Sequence, residues 1–89
     1  MTLEDCLDGV YVGTFIRLSN KEGYSAAGYV VVYNNKTVKL SHEDPRRIDT
    51  WRKDTKDMSF LRGMKCFSGD RKYKLRHFDS YKIIDLNGE

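Results

Sequence analysis

Gly28-Tyr29-Val30-Val31-Val32-Tyr33-Asn34-Asn35-Lys36-Thr37-Val38-Lys39-Leu40 is the stretch that decides the fold. Its first half is β-branched and aromatic, residue types that suit a pleated, half-buried surface. Asn34-Asn35 then offers side chains that tolerate positive φ, and Thr37-Val38-Lys39-Leu40 resumes an apolar alternation. The stretch therefore predicts a β-hairpin.

Working outward, Val10 to Ser19 alternates with Val10, Val12, Thr14, Ile16 and Leu18 on one side, the period of a strand. Toward the other end, Tyr73, Leu75 and His77 alternate with Lys72, Lys74, Arg76 and Phe78, and Tyr81 to Leu86 reads as a last strand before Asn87-Gly88. Ser68-Gly69-Asp70 has the composition of the turn between. Two helical pieces are expected. Thr2 caps a single turn that carries Leu3 and Leu7 on one face and ends at Gly9. Asp44-Pro45 opens a segment in which Ile48, Trp51, Thr55 and Met58 recur every three or four residues.

The 89 residues, 39% of them hydrophobic, hold one small domain with little left to wall a deep cavity. A five-stranded antiparallel meander of such short strands cannot stay flat with one face wet. It is expected to bend into a small barrel of SH3-like or Sm-like type, with Gly13 and Gly28 at the points of sharp curvature. The expectation is an all-β single domain over residues 1–89, in which 44–66 forms an enlarged basic loop between strands 3 and 4.

The order short helix, Gly13-x-x-Ile16-x-Leu18, then Gly28-x-Val30-x-x-x-Asn34-Asn35-x-Thr37-Val38-x-Leu40 resembles the first half of an Sm-like domain. The spacing is similar to that of divergent members in mRNA-decapping and translational-repression scaffold proteins. Where that family carries an apolar residue followed by Arg-Gly, this chain has Leu75-Arg76-His77, and Ile83-Ile84-Asp85-Leu86 closes it. The resemblance implies a five-stranded barrel and an RNA-contacting role for Arg76 and for Asn34 or Asn35. Two positions depart from the family pattern: Tyr33 stands where an Asp usually precedes the Asn, and His77 stands where the glycine would be. Divergent members with such departures tend to be protein-binding platforms.

Charge points the same way. Residues 1–44 balance to −2 and residues 45–89 to +5, and between Arg46 and Arg76 eleven Lys or Arg face four Asp. Trp51, Phe60, Phe67 and Tyr73 are interleaved with them, so the segment could meet phosphates while its rings stack on bases. The ordinary alternative is a solvated loop that only keeps the protein dispersed. Candidate nucleic-acid contacts are Arg76, His77, Asn34, Asn35, Arg46, Arg47, Arg52, Lys53, Arg71, Lys72 and Lys74. Each has a bland reading too: Arg76 as a solvent-facing residue, the two Asn as turn formers. Trp51 and Phe60 are candidates for a partner surface, and Trp51 is equally an anchor that holds the loop to the core.

Catalysis and metal binding are not expected. Cys6, Cys66, His42 and His77 lack the close spacing of structural zinc sites, so the two Cys read as reduced thiols. His77 and Asp79 would share a strand face, yet no hydroxyl or thiol is set beside them, and there is no glycine-rich phosphate loop. No cofactor is implied. The acidic start MTLEDCLDG and the lack of a long apolar run lead to the expectation of a cytoplasmic chain with no membrane partner. The expected partner is RNA or another nucleic acid; the alternatives are protein partners or self-association through Trp51 and an edge strand, including a regulatory or viral inhibitor.

Overall fold

The computed structural model describes residues 7–34, 36–58 and 71–84. Its framework is a five-stranded antiparallel sheet: β1 (Phe15–Ser19), β2 (Ser25–Tyr33), β3 (Thr37–Ser41), β4 (Arg71–Lys74) and β5 (Ser80–Ile83), in the spatial order β4-β3-β2-β1-β5. The expected hairpin is β2–β3. Asn34 does not reach positive φ, however; no described residue other than glycine does. Instead its carboxamide oxygen accepts from the backbone N–H of Lys36 and of Thr37, at 3.0 and 2.9 Å, so a side chain rather than an unusual dihedral turns the chain.

Alternation in the Val10–Ser19 stretch correctly marks the buried side, since Val10, Val12, Thr14, Ile16 and Leu18 are all buried. The strand itself is shorter than expected. Thr14 N–H closes a turn on the Tyr11 carbonyl, and Gly13 sits at φ +104, outside the range of an extended L-residue. Pairing with β2 nonetheless continues through Gly13 N–H to Val30 O and Val30 N–H to Thr14 O. At Gly28, where β3 crosses close, a Cβ would stand 3.0 Å from both the Leu40 side chain and the Ser41 carbonyl.

The sheet is not closed into a barrel: among the described residues β4 and β5 are not hydrogen-bonded to each other. What joins them is a 3-10 turn, Leu75–His77, where the sequence reads as a continuing strand. Extended backbone would send Leu75 and Phe78 to opposite faces, whereas a three-residue turn brings them to the same one. Both are buried, at 0% and 1% exposure, and Arg76 and His77 are left outside. The turn ties both ends of the gap. Leu75 N–H donates to Lys36 O in the β2–β3 turn, and Asp79 N–H donates to Ser19 O at the end of β1, both at 2.9 Å.

One cluster forms the interior: Ile16, Leu18, Val30, Val31, Val38 and Leu40 from the sheet, Leu7, Val10 and Val12 from before it, and Met58, Leu75 and Phe78 from the loops. Burial of each such side chain is worth roughly 1.5–3 kcal/mol.

The expected helix after Asp44 is only a 3-10 turn, Pro45–Arg47, with the Asp44 carboxylate accepting from Arg46 N–H. Beyond it the chain runs through further turns, Ile48 to Trp51 and Arg52 to Thr55. The three- and four-residue spacing marks inward contacts, not helix: Ile48 and Trp51 pack on the core and Met58 enters it. At Val31 a bulge breaks the β2–β3 register, and here residues 56–58 return to the sheet. Met58 N–H donates to Val31 O, Tyr33 N–H to Lys56 O, and Asp57 bridges Val32. These residues occupy the flank of β2 that β1 has already left.

The turn expected over 2–9 lies mostly outside the described residues, although Val10 N–H does close on Leu7 O at its end. Leu7 N–H donates to the Tyr33 hydroxyl, and the Tyr81 hydroxyl to Asp8 O, which secures the segment across β2 and β5. Asn35, Phe60, both Cys, the turn at 68–70 and the last strand beyond Ile84 also lie outside the described residues. Among the described residues no helix is long and apolar enough to cross a membrane.

Candidate nucleic-acid interface

Ladder register sorts the cations. On β3, Val38 and Leu40 point inward and Lys39 outward; on β4, Tyr73 packs on the core while Lys72 and Lys74 are exposed. Lys39 stands directly opposite Lys72, and Thr37 opposite Lys74. Like charges at directly opposed positions repel by an amount on the order of a few tenths of a kcal/mol to 1 kcal/mol. A second such pair lies on the other flank, where exposed Arg17 of β1 faces exposed Lys82 of β5. Between them on the sheet Phe15 and Tyr29 meet edge to face, ring centroids 4.9 Å apart.

No described carboxylate comes within ion-pair distance of Lys39, Lys72, Lys74, Arg71 or Arg76. The loop cations differ. Arg46 is clasped by Asp44 through Nε and a terminal nitrogen at 2.9–3.1 Å, and this hydrogen bonding, partly offset by burial, raises its pKa. Arg47 pairs with Glu43 at 3.2 Å. Arg52 donates to the carbonyls of Asp49 and Trp51, both at 2.7 Å, and the Lys53 ammonium lies 5.8 Å from the centre of the Tyr11 ring. These four hold the loop in shape.

The two corners singled out by sequence do come together. The 3-10 turn bearing Arg76 and His77 is bonded to the Asn34–Thr37 turn through Leu75 N–H to Lys36 O. Asn34 Oδ1 is engaged within its own turn. Asp79 does not orient His77; its carboxylate accepts from Lys21 N–H at 2.7 Å. The His77 carbonyl accepts from Asn20 Nδ2.

Trp51 is half-buried, and its Nε1–H donates to Val12 O at 2.8 Å, which places it as the anchor of the loop. Arg46 and Trp51 close over Gly13, where a Cβ would stand 2.6 Å from Arg46 Cγ.

Sequence reasoning missed Lys39, Arg17 and Lys82, because a cation in an alternating strand reads as an ordinary solvent-facing residue until its cross-strand neighbour is known. It also missed Tyr24, an exposed ring in the β1–β2 turn. Among the described residues no group of three or more His, Cys, Asp or Glu could hold a metal ion. Compared with models of protein families, with curated proteins and with solved structures, the chain finds no match in any of the three.

Proposed function

We propose that the chain is an open, Sm-like small barrel that binds RNA through the outer face of β3 and β4 and the turn that follows. The observation that carries this reading is Lys39 directly opposite Lys72, flanked by Lys74, with no described carboxylate to neutralise them. A sheet that sets like charges against each other has a use for an external anion, and a phosphate backbone supplies one at each residue. Support for the Sm-like part of the reading comes from the strand order β4-β3-β2-β1-β5 and from the junction of the Asn34 and Arg76 turns.

Fluorescence anisotropy with a short single-stranded RNA across a salt series tests it. Affinity falls steeply with salt, and Lys39→Ala with Lys72→Ala weakens binding and lowers the log–log salt slope by about 1.4, two phosphates at about 0.7 each. Arg46→Ala and Arg47→Ala have little effect, because Asp44 and Glu43 already hold those guanidinium groups. Lack of binding at low salt overturns the proposal.

A second reading, a protein-interaction module, rests on the outer edges of β4 and β5, which pair with no other described strand and offer main-chain groups to an added strand. Binding of that kind survives moderate salt.

A further inference from the structure

A cleft of about 380 Å3 lies between β4 and the β1–β2 turn, and it shares His77 with the corner formed by the Asn34 and Arg76 turns. Its floor is aromatic. Phe78, 1% exposed, meets Tyr73 edge to face at 6.0 Å and stacks under Tyr24 at 5.8 Å with 28° between the rings. Tyr24 itself is 51% exposed, so one ring face rests on a buried residue while much of the rest is open.

That ring is held in place by its backbone. Tyr24 N–H donates to Asn20 Oδ1 and Asn20 N–H donates to Tyr24 O, each at 3.0 Å. The turn is in turn tied to its neighbours by Lys21 N–H to Asp79 and by Asn20 Nδ2 to His77 O. A platform already ordered in this way loses little entropy when something stacks on it.

The rim is cationic: Arg71, Lys72 and Lys74 line the cleft beside His77, and no acidic side chain does. Exposed aromatic surface beside unneutralised cations matches a ligand that has a flat ring and a phosphate on the same unit. Burial first, and the neighbouring Tyr24 second, raise the Tyr73 pKa against the opposing pull of Arg71, so the Tyr73 phenol keeps its proton at neutral pH.

We propose that this cleft is a nucleotide subsite, in which a base of single-stranded RNA stacks on Tyr24 while an adjoining phosphate lies at Arg71 and Lys72. The proposal rests on the RNA-binding reading above and deepens it.

The test compares a short single-stranded RNA with heparin, a polyanion without bases, at low salt. Tyr24→Ala weakens RNA binding about tenfold and leaves heparin binding within about twofold, whereas Tyr24→Phe and Tyr24→Trp bind RNA like the parent. Emission from Trp51, the single Trp of the parent, reports that the Ala and Phe variants are folded, and circular dichroism does so for Tyr24→Trp. Should Tyr24→Ala unfold, photocrosslinking of the parent protein to RNA bearing 5-iodouridine decides, with an adduct on Tyr24 expected. RNA binding by the parent that is indifferent to Tyr24→Ala, equal losses for RNA and heparin, or no adduct on Tyr24 overturns the subsite alone. A parent protein that binds no RNA overturns the broader reading and the subsite with it.

Discussion

Trp51 donates its indole N–H to the carbonyl of Val12, 39 residues earlier in the chain, and so ties the middle of the long loop to the approach of β1. The contact joins an apolar body packed on the core to a hydrogen bond at its tip. Trp51→Phe keeps most of the packing and loses the bond, at a cost of about 1 kcal/mol. Trp51→Ala costs about 3–5 kcal/mol. Urea denaturation followed by circular dichroism measures both. Equal losses for the two would show that the hydrogen bond dominates and the ring adds little.

The Lys39–Lys72 pair predicts effects of opposite sign on stability and binding. Lys72→Glu turns a cross-strand repulsion into an attraction, which raises stability by roughly 0.5–1 kcal/mol and weakens RNA binding. High salt narrows the stability difference because the groups are exposed. Thermal melts at low and high salt alongside anisotropy check this, and a variant that loses stability at low salt contradicts the register.

Alkaline pH probes the Tyr24–Tyr73 corner. The Tyr73 phenol has a folded pKa raised above its ordinary 10.0, chiefly by burial. The folded state therefore holds this proton more tightly than the unfolded chain. The stabilisation is complete below about pH 10 and is lost as pH climbs through the raised folded value. Tyr73→Phe removes that part of the alkaline decline. Denaturant midpoints across the alkaline range show the difference, and superimposable profiles would refute it.

Gly13 is a sharp test of how the loop is seated. An alanine there faces φ +104 and would place a methyl group 2.6 Å from Arg46 Cγ and 3.2 Å from Trp51 Nε1. Gly13→Ala should cost about 1–3 kcal/mol from backbone strain, with more where the loop shifts. A red shift of Trp51 emission with the loss would show that the indole has been displaced. An unchanged melting temperature would mean that neither constraint holds.

Much of the framework is legible before any coordinates, for a local reason. In β2 and β3 the alternation and the Asn-rich turn are properties of adjacent residues, and the buried set from Val10 to Leu18 follows the period of two even where Gly13 interrupts the strand. Leu75 is different. Tyr73, Leu75 and His77 satisfy a period of two, while Leu75 and Phe78 satisfy a period of three, and so short a stretch cannot discriminate between them. Burial of both side chains in the shared core, together with two distant acceptors, Lys36 O and Ser19 O, selects the turn. The loop arginines differ from the sheet cations for a related reason. Net charge counts Arg46 and Arg47 among the phosphate contacts, but Asp44 and Glu43 are within their reach, whereas the cations of β3 and β4 are separated from acids by the ladder itself. Lys39 and Tyr24 became candidates through long-range register and packing, which composition does not encode.

The pairing of β1 with β5 sets a sequence of events during synthesis. Ile16 meets Ile83 and Ser19 meets Ser80, so β1 has only one neighbour until some sixty further residues have been made. In that interval the three-stranded meander exposes the bare flank of an apolar strand, the kind of edge that recruits other chains. Folding of the complete polypeptide is correspondingly governed by a long-range closure, the slow kind, and crowding of nascent chains is the circumstance in which this protein is most exposed to aggregation.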